Sequence, residues 1–310
     1  MPTFVVVCGN GETDAAKEMV PLINSPILLS SSTFRLVFVT DEYGARVVDN
    51  MTTTLLEKTT KLEFVDVRII HEFDEIETYA HKISFNLHSH HAGIWGFVKV
   101  ILPWMLVEYP RFAVIDSDMV FVQDPLLIWQ HFYDDDNHNH DSENPSEWLY
   151  ALDLNDSESP STICSCVVLM KASLILSSNI FPDGFKHALE QKPEWYTNVT
   201  NDYLVPHGDQ GLYFSLSEKN RSIISSLAAK WNVDRCHNYL HGALQNFDGE
   251  LGLLHRNCYN DTEESHRHDA AAPFFDFYRA YQLTWLPATD VIKSKSLVTK
   301  TGNATLVPLK

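Results

Sequence analysis

The amino-acid sequence predicts an α/β fold, with a mostly parallel central sheet flanked by helices and built as a single domain. Three observations predict it. Apolar strand-like runs alternate with helix-spaced stretches along the first third of the chain, turn and cap residues fall between them, and no linker interrupts the pattern. With 45% hydrophobic and 12% aromatic residues in 310, the chain carries the apolar material for a large core.

At the N-terminus, Phe4–Cys8 is a continuous apolar run closed by Gly9-Asn10-Gly11, a core strand and its turn. Thr13 is an N-cap candidate for a helix to Ile23, with apolar residues at 16, 19, 20 and 23. Phe34–Thr40 is a second strand, ending at Asp41. A helical stretch through Val47 and Leu55 leads to a third strand, Leu62–Ile69. Crossovers between such strands are right-handed, and ligands sit beyond the strand C-termini. Residues 93–108 read as a buried helix carrying Lys99, and Phe112–Ile115 as a short strand. Asp116-Ser117-Asp118 comes next, then a second apolar run, Met119–Val122. Asp124-Pro125 opens a helix, with Asp at the cap and Pro at the first position.

Residues 134–147 form a polar, low-complexity insertion, since strand-like blocks resume at Trp148–Leu152 and Ile163–Met170. A charged helix precedes His207-Gly208-Asp209-Gln210-Gly211, which leads into Leu212–Leu216. Trp231-Asn232-Val233 and Gly252–His255 close the core, and Phe274–Trp285 reads as an amphipathic aromatic helix. The folded domain is expected over 1–286, with 287–310 a polar, frayed tail.

Composition narrows function. Forty-one acidic against 23 basic residues give a formal net charge of −18, which repels phosphate backbones and argues against a nucleic-acid partner. A diphosphate-bearing substrate would need local neutralisation by a metal or a few placed cations. No run is long enough to span a membrane, and the N-terminus lacks the basic start and apolar core of a signal peptide. Six N-x-S/T sequons, at Asn50, Asn155, Asn198, Asn220, Asn260 and Asn303, point the other way, to a secretory lumen, so the compartment stays open. Five cysteines make no disulfide framework. They are expected as buried thiols, with a Cys236–Cys258 bridge as the alternative in an oxidising lumen. The histidine clusters at 88–91, 138–140 and 266–268 read as solvated loops beside acidic residues rather than as a second metal site.

Asp116 and Asp118 stand apart from the other acidic pairs because they lie between two apolar segments, at the end of a buried strand. Two like charges there are costly unless a cation holds them. Oxygen ligation of that kind suits Mn²⁺ or Mg²⁺ together with substrate phosphates. The alternative is a pair of loop aspartates capping the following helix.

VIDSDMVFVQDPLLIW (Val114–Trp129) resembles the Asp-x-Asp segment of glycosyltransferase family 8, the retaining GT-A group that contains glycogenin and the LARGE-type transferases. Upstream, HAGIWGFVKVIL (His91–Leu102) is similar to the family helix whose lysine contacts the diphosphate, a role that falls on Lys99. Downstream, GDQG (Gly208–Gly211) matches glycogenin's segment, which puts Asp209 and Gln210 at the catalytic face near the anomeric carbon. GLLH (Gly252–His255) looks like the strand whose histidine completes the metal shell with Asp116 and Asp118. An imidazole in that shell favours Mn²⁺ over Mg²⁺. VVVCG (Val5–Gly9) resembles the first strand, whose end, at Val7 and Cys8, cradles base and ribose. Five such pieces occur in the family's order from residue 4 to about 285.

The resemblance implies a Rossmann-like GT-A fold, a UDP-sugar donor held at Asp116, Ser117 and Asp118, and retention of configuration. It also implies a glycan, protein or small-polyol acceptor, and a homodimer. Two departures stand against the pattern. Cys164-Ser165-Cys166 replaces the Asn-x-Gly of the sugar-pocket strand, leaving Ser165 as the donor-sugar candidate. His255-Arg256-Asn257 also lacks the lysine that follows the family's histidine. These departures keep open a degenerate fold that binds a nucleotide sugar or glycan without turnover. Asp116-Ser117-Asp118 fits the opening of haloacid-dehalogenase-like phosphohydrolases too, although that motif normally begins its domain.

Overall fold

The computed structural model describes residues 1–9, 13–56, 61–83, 93–138, 148–153, 163–178, 208–219, 221–234, 251–255 and 300–303, with single residues 59, 85, 87, 180 and 277. The strands are β1 (Thr3–Cys8), β2 (Phe34–Thr40), β3 (Leu62–Ile69), β4 (Phe112–Ile115), β5 (Met119–Phe121), β6 (Tyr150–Asp153), β7 (Cys164–Met170), β8 (Ile224–Ser226), β9 (Val233–Asp234), β10 (Leu253–His255) and β11 (Lys300–Asn303). The helices are α1 (Thr13–Leu29), α2 (Glu42–Leu56), α3 (Asp74–Lys82), α4 (Gly93–Met105), α5 (Leu126–His138), α6 (Ala172–Ser177) and α7 (Gly208–Lys219). This is the predicted α/β class with a mostly parallel sheet and covering helices. Among the described residues no helix is long and apolar enough to cross a membrane.

The chain divides into two compact units. The first is Met1–Ile69, Ile115–Asp134 and Ala228–Gly302; the second is Ile70–Val114, Asp135–Leu227 and Asn303–Lys310. In the first, the strands run in the order β11-β3-β2-β1. β1 pairs with β2 in parallel from Thr3↔Arg35 to Cys8↔Thr40, and β2 pairs with β3 in parallel. Every residue of β1 is buried, which is why its sequence is an unbroken apolar run rather than an alternating one. Phe4 anchors this core, with its ring edge-on to Phe34, Phe121 and Trp129 at centroid distances of 5.9, 5.7 and 6.2 Å.

Of the two helices that follow the first strands, α2 begins by local rules and α1 runs against them. Asp41 caps α2, accepting the Gly44 N–H on Oδ1 at 2.8 Å. A Cβ at Gly44 would overlap the Thr40 hydroxyl, so only glycine fits that first turn. α1 runs six residues past Ile23, through Pro21 and Pro26. Leu22, Ile23 and Ile27 are buried, and the Ser25 hydroxyl accepts the Phe121 N–H at 3.0 Å, so tertiary contacts carry a helix that proline would locally end. Asp124 caps α5 as its sequence predicts, accepting the Leu126 N–H at 2.9 Å on one oxygen and the Ser31 N–H at 3.1 Å on the other.

A second, smaller sheet of the first unit has the order β5-β10-β9. β10 pairs antiparallel with β5 and parallel with β9 over a small core of Val120, Val233 and Leu254. In the second unit the strand order is β4-β7-β6-β8, with β6 antiparallel to β7 and parallel to β8. The register slips between Leu152 and Asp153, so that Leu152 faces Val168 while Asp153 faces Cys164. Extra residues accumulate on β7 at that point. The Cα atoms of Cys164 and Cys166 lie 5.4 Å apart and the two are joined as a disulfide. That corrects the expectation of buried thiols at these two positions; Cys8 remains a free, buried thiol.

Residues 300–303, expected in a frayed tail, form strand β11. Several other expectations lie outside the described residues. The 134–147 insertion begins inside α5, which runs to His138; its residues 139–147 lie outside, as do the charged helix before His207, Cys236 and Cys258, Arg256, the histidines at 88–91, 140, 266 and 268, and the aromatic helix at 274–285 apart from Phe277.

Candidate metal centre

Asp116-Ser117-Asp118 forms the turn between β4 and β5. The partner residue comes from 137 positions later in the chain. β10 runs antiparallel to β5 with His255 opposite Met119, so the residue just before Met119, Asp118, is brought beside the imidazole. Nε2 of His255 lies 3.4 Å from Oδ1 of Asp118. Asp116, Asp118 and His255 each offer a ligand atom within 4.8 Å of the others.

The backbone around His255 fixes this geometry. The Gly252 carbonyl accepts the Val122 N–H at 3.1 Å, and its own N–H donates to the Lys230 carbonyl at 2.9 Å. A side chain at Gly252 would overlap the Trp231 indole, so glycine lets β10 lie flat on that ring. Leu253 and Leu254 are fully buried and His255 is 2% exposed, whereas the Asp118 side chain is 27% exposed. The imidazole is buried while the carboxylate reaches solvent.

The donor set fits one divalent ion. Ligand atoms sharing an ion at about 2.1 Å stand no more than about 4.2 Å apart. The observed ceiling of 4.8 Å therefore needs only a small contraction. Two carboxylates and one imidazole make an oxygen and nitrogen donor set for a divalent cation.

The remaining candidates are distributed over both units. Val7 and Cys8 end β1 in the first unit, both buried. Burial raises the Cys8 thiol pKa from 9.0 to about 12, a hydrogen bond with Thr40 opposing and the Asp41 charge adding to the shift. Lys99 lies mid-α4 in the second unit and is 8% exposed. Ser165 is buried in β7 of the same unit. Asp209 and Gln210 occupy the first turn of α7, also in the second unit, with Asp209 1% exposed. Gly208 before them has φ +59°, the left-handed region that favours glycine. The geometry brings Asp116, Asp118 and His255 together in one unit. Missed by the sequence reading was the Cys164–Cys166 bond, although its Cys-x-Cys spacing stood in view.

No family model matches the sequence. Relatives and solved structures do. The xylosyl- and glucuronyltransferase LARGE2 of Homo sapiens is 19% identical over 288 residues, 91% of this chain and 37% of LARGE2. The Rattus norvegicus LARGE2 is 21% identical over 298 residues, 91% of this chain and 38% of its own length. The chain thus spans little more than a third of these relatives. Apo mouse xyloside xylosyltransferase 1 superposes with a TM-score of 0.57 at 17% identity, over 83% of this chain and 98% of that one. The galactosyltransferase LgtC, in complex with donor and acceptor sugar analogues, gives 0.59 at 12% identity, over 89% and 95%. The glycosyltransferase GlyE of Streptococcus pneumoniae gives 0.59 at 13%, over 96% and 66%. The fold is that of GT-A glycosyltransferases, and over most of its length the chain is similar to the xylosyl- and glucuronyltransferase LARGE2.

Proposed function

We propose that the chain is a retaining glycosyltransferase that moves a sugar from a UDP-sugar to a glycan acceptor. The observation that carries this reading is the meeting of Asp116, Asp118 and His255 within one unit of a GT-A-like fold. A divalent ion bound there, Mn²⁺ in this reading, would supply positive charge to offset the departing diphosphate. Asp116 and Asp118 would hold that ion from the β4–β5 turn and His255 from β10, with Ser117 assigned to the diphosphate. Lys99 serves as a second cation for the diphosphate. Val7 and Cys8 line the base and ribose, and Ser165 the donor sugar. Asp209 and Gln210 stabilise the positive charge that builds on the sugar ring as the glycosidic bond breaks. The names of the relatives direct the first donor panel to UDP-xylose, UDP-glucuronate and UDP-galactose.

Calorimetric titration of that panel, with Mn²⁺ or EDTA and in wild type and Asp118→Ala, tests the proposal. Binding that requires both the metal and Asp118, followed by UDP release, is the expected result. Metal-dependent binding without UDP release, even with xylosides and glycans added, reassigns the chain as a nucleotide-sugar binder. Absence of any UDP-sugar binding removes the transferase reading altogether.

A further inference from the structure

Among the buried polar atoms of the second unit without a hydrogen-bond partner among the described residues are Oδ2 of Asp209 and the hydroxyls of Tyr150 and Tyr213. Buried polar groups are nearly always paired, and each exception needs a cause. Chance scatter is a poor one, because the three belong together. Asp209 and Tyr213 are four residues apart on α7, hence on one face of it. A helical side chain leans back over the preceding turn, so Tyr213 reaches toward the turn that carries Asp209. The Tyr150 ring, from the first residue of β6, meets the Tyr213 ring edge-on at 5.3 Å. Both tyrosines are fully buried, and Asp209 is 1% exposed.

Other polar side chains of α7 behave differently. Ser215 and Ser217 satisfy themselves locally, donating to the Gly211 and Phe214 carbonyls at 2.9 and 2.7 Å. Phenylalanine at 150 and 213 would bury the same rings at no polar cost, so the two hydroxyls need a use. One buried water meets the requirement of all three atoms. Such a water would accept from both phenols and donate to the carboxylate, three bonds being typical of a buried water. The Tyr213 phenol is pushed well above its ordinary pKa, first by burial and then by the neighbouring Tyr150 and Asp209 charges. It therefore stays protonated and able to donate.

We infer that Tyr150 and Tyr213 are positioning residues for Asp209, their hydroxyls holding its buried oxygen through a shared water so that the carboxylate keeps one orientation. The consequence for catalysis rests on the transferase reading; the network itself does not.

The experiment compares wild type with Tyr213→Phe, Tyr150→Phe, Asp209→Asn and the double variant Asp209→Asn/Tyr213→Phe, by thermal melting and by UDP release with saturating Mn²⁺. Each Tyr→Phe change is expected to lower the melting temperature, and the effect of Tyr213→Phe to shrink by about half or more in the Asp209→Asn background. In turnover, Tyr213→Phe lowers kcat about tenfold and leaves the donor KM within about twofold, as loss of one hydrogen bond from the network that orients the carboxylate predicts. Melting temperatures that are unchanged or raised, or additive effects in the double variant, overturn the inference, as does an unchanged kcat in an active enzyme. If wild type releases no UDP from any donor, the transferase reading fails, and the melting cycle alone decides whether the network exists.

Discussion

His255 shows how single residues make the candidate site and why they are hard to see. In sequence it is an ordinary histidine ending an apolar triplet, and only family likeness marked it. Its partner Asp118 sits 137 positions earlier, and the two meet because the β5–β10 register sets His255 against Met119. Register between distant strands is invisible in one sequence, whereas Asp116 and Asp118 betray themselves locally by sitting between apolar runs. If the three ligate together, His255→Ala weakens Mn²⁺ binding, measured without nucleotide, by at least about 100-fold. A loss smaller than about threefold removes His255 from the shell. Cys8 offers a separate test, of burial at the end of β1. Its folded pKa of about 12 lies above the ordinary 9.0, so the native state holds this proton more tightly than the unfolded chain. Stability from that group is complete below pH 9 and is lost as pH rises toward 12. Wild type should therefore lose more stability than Cys8→Ala between pH 8 and about pH 11 in denaturant titrations. Parallel losses in the two proteins would show that the thiol ionises freely.

Among elements, those with one apolar face or an unbroken apolar run were the readable ones. β2 and β3 have the bounds their sequences predict, and the Asp124 cap is where the Asp-Pro pair placed it. α7 gave no periodic signal, because Leu212 to Ser217 is buried on every side and a helix wrapped in protein needs no polar face. α1 outran its expected end because its burial outweighs two prolines. β11 emerged from a stretch with no strand pattern at all, since an edge strand of four residues is selected by its neighbour rather than by its own side chains. β10 is the element on which the proposed chemistry depends, and its position depends on Gly252. A methyl group there meets the Trp231 indole while backbone hydrogen bonds hold the strand on both sides. Gly252→Ala is accordingly expected to cost about 1–3 kcal/mol of stability. It should also weaken Mn²⁺ binding by shifting His255, as melting and metal titration would report together. A variant that melts lower yet binds Mn²⁺ normally would mean that His255 does not move with β10.

For the whole molecule, the charge of −18 sets two opposite salt dependences. A field of that sign concentrates divalent cations near the protein and repels a nucleoside diphosphate. Salt screens both effects, with a Debye length falling from about 30 Å at 0.01 M to about 10 Å at 0.1 M. Mn²⁺ affinity should therefore fall as salt rises. UDP-sugar affinity at saturating Mn²⁺ should hold constant or increase, by up to about threefold over the same range. The contrast with an ordinary anion-binding protein, in which donor affinity falls with salt, makes the sign of the slope informative. A donor affinity that drops steeply would mean that cations close to the diphosphate, Lys99 first among them, outweigh the net charge. The diphosphate would then be held chiefly by side chains, and chelation of the metal would weaken donor binding only modestly. If the metal is instead the main bridge between an acidic protein and an acidic substrate, donor affinity stays flat or rises while metal affinity falls.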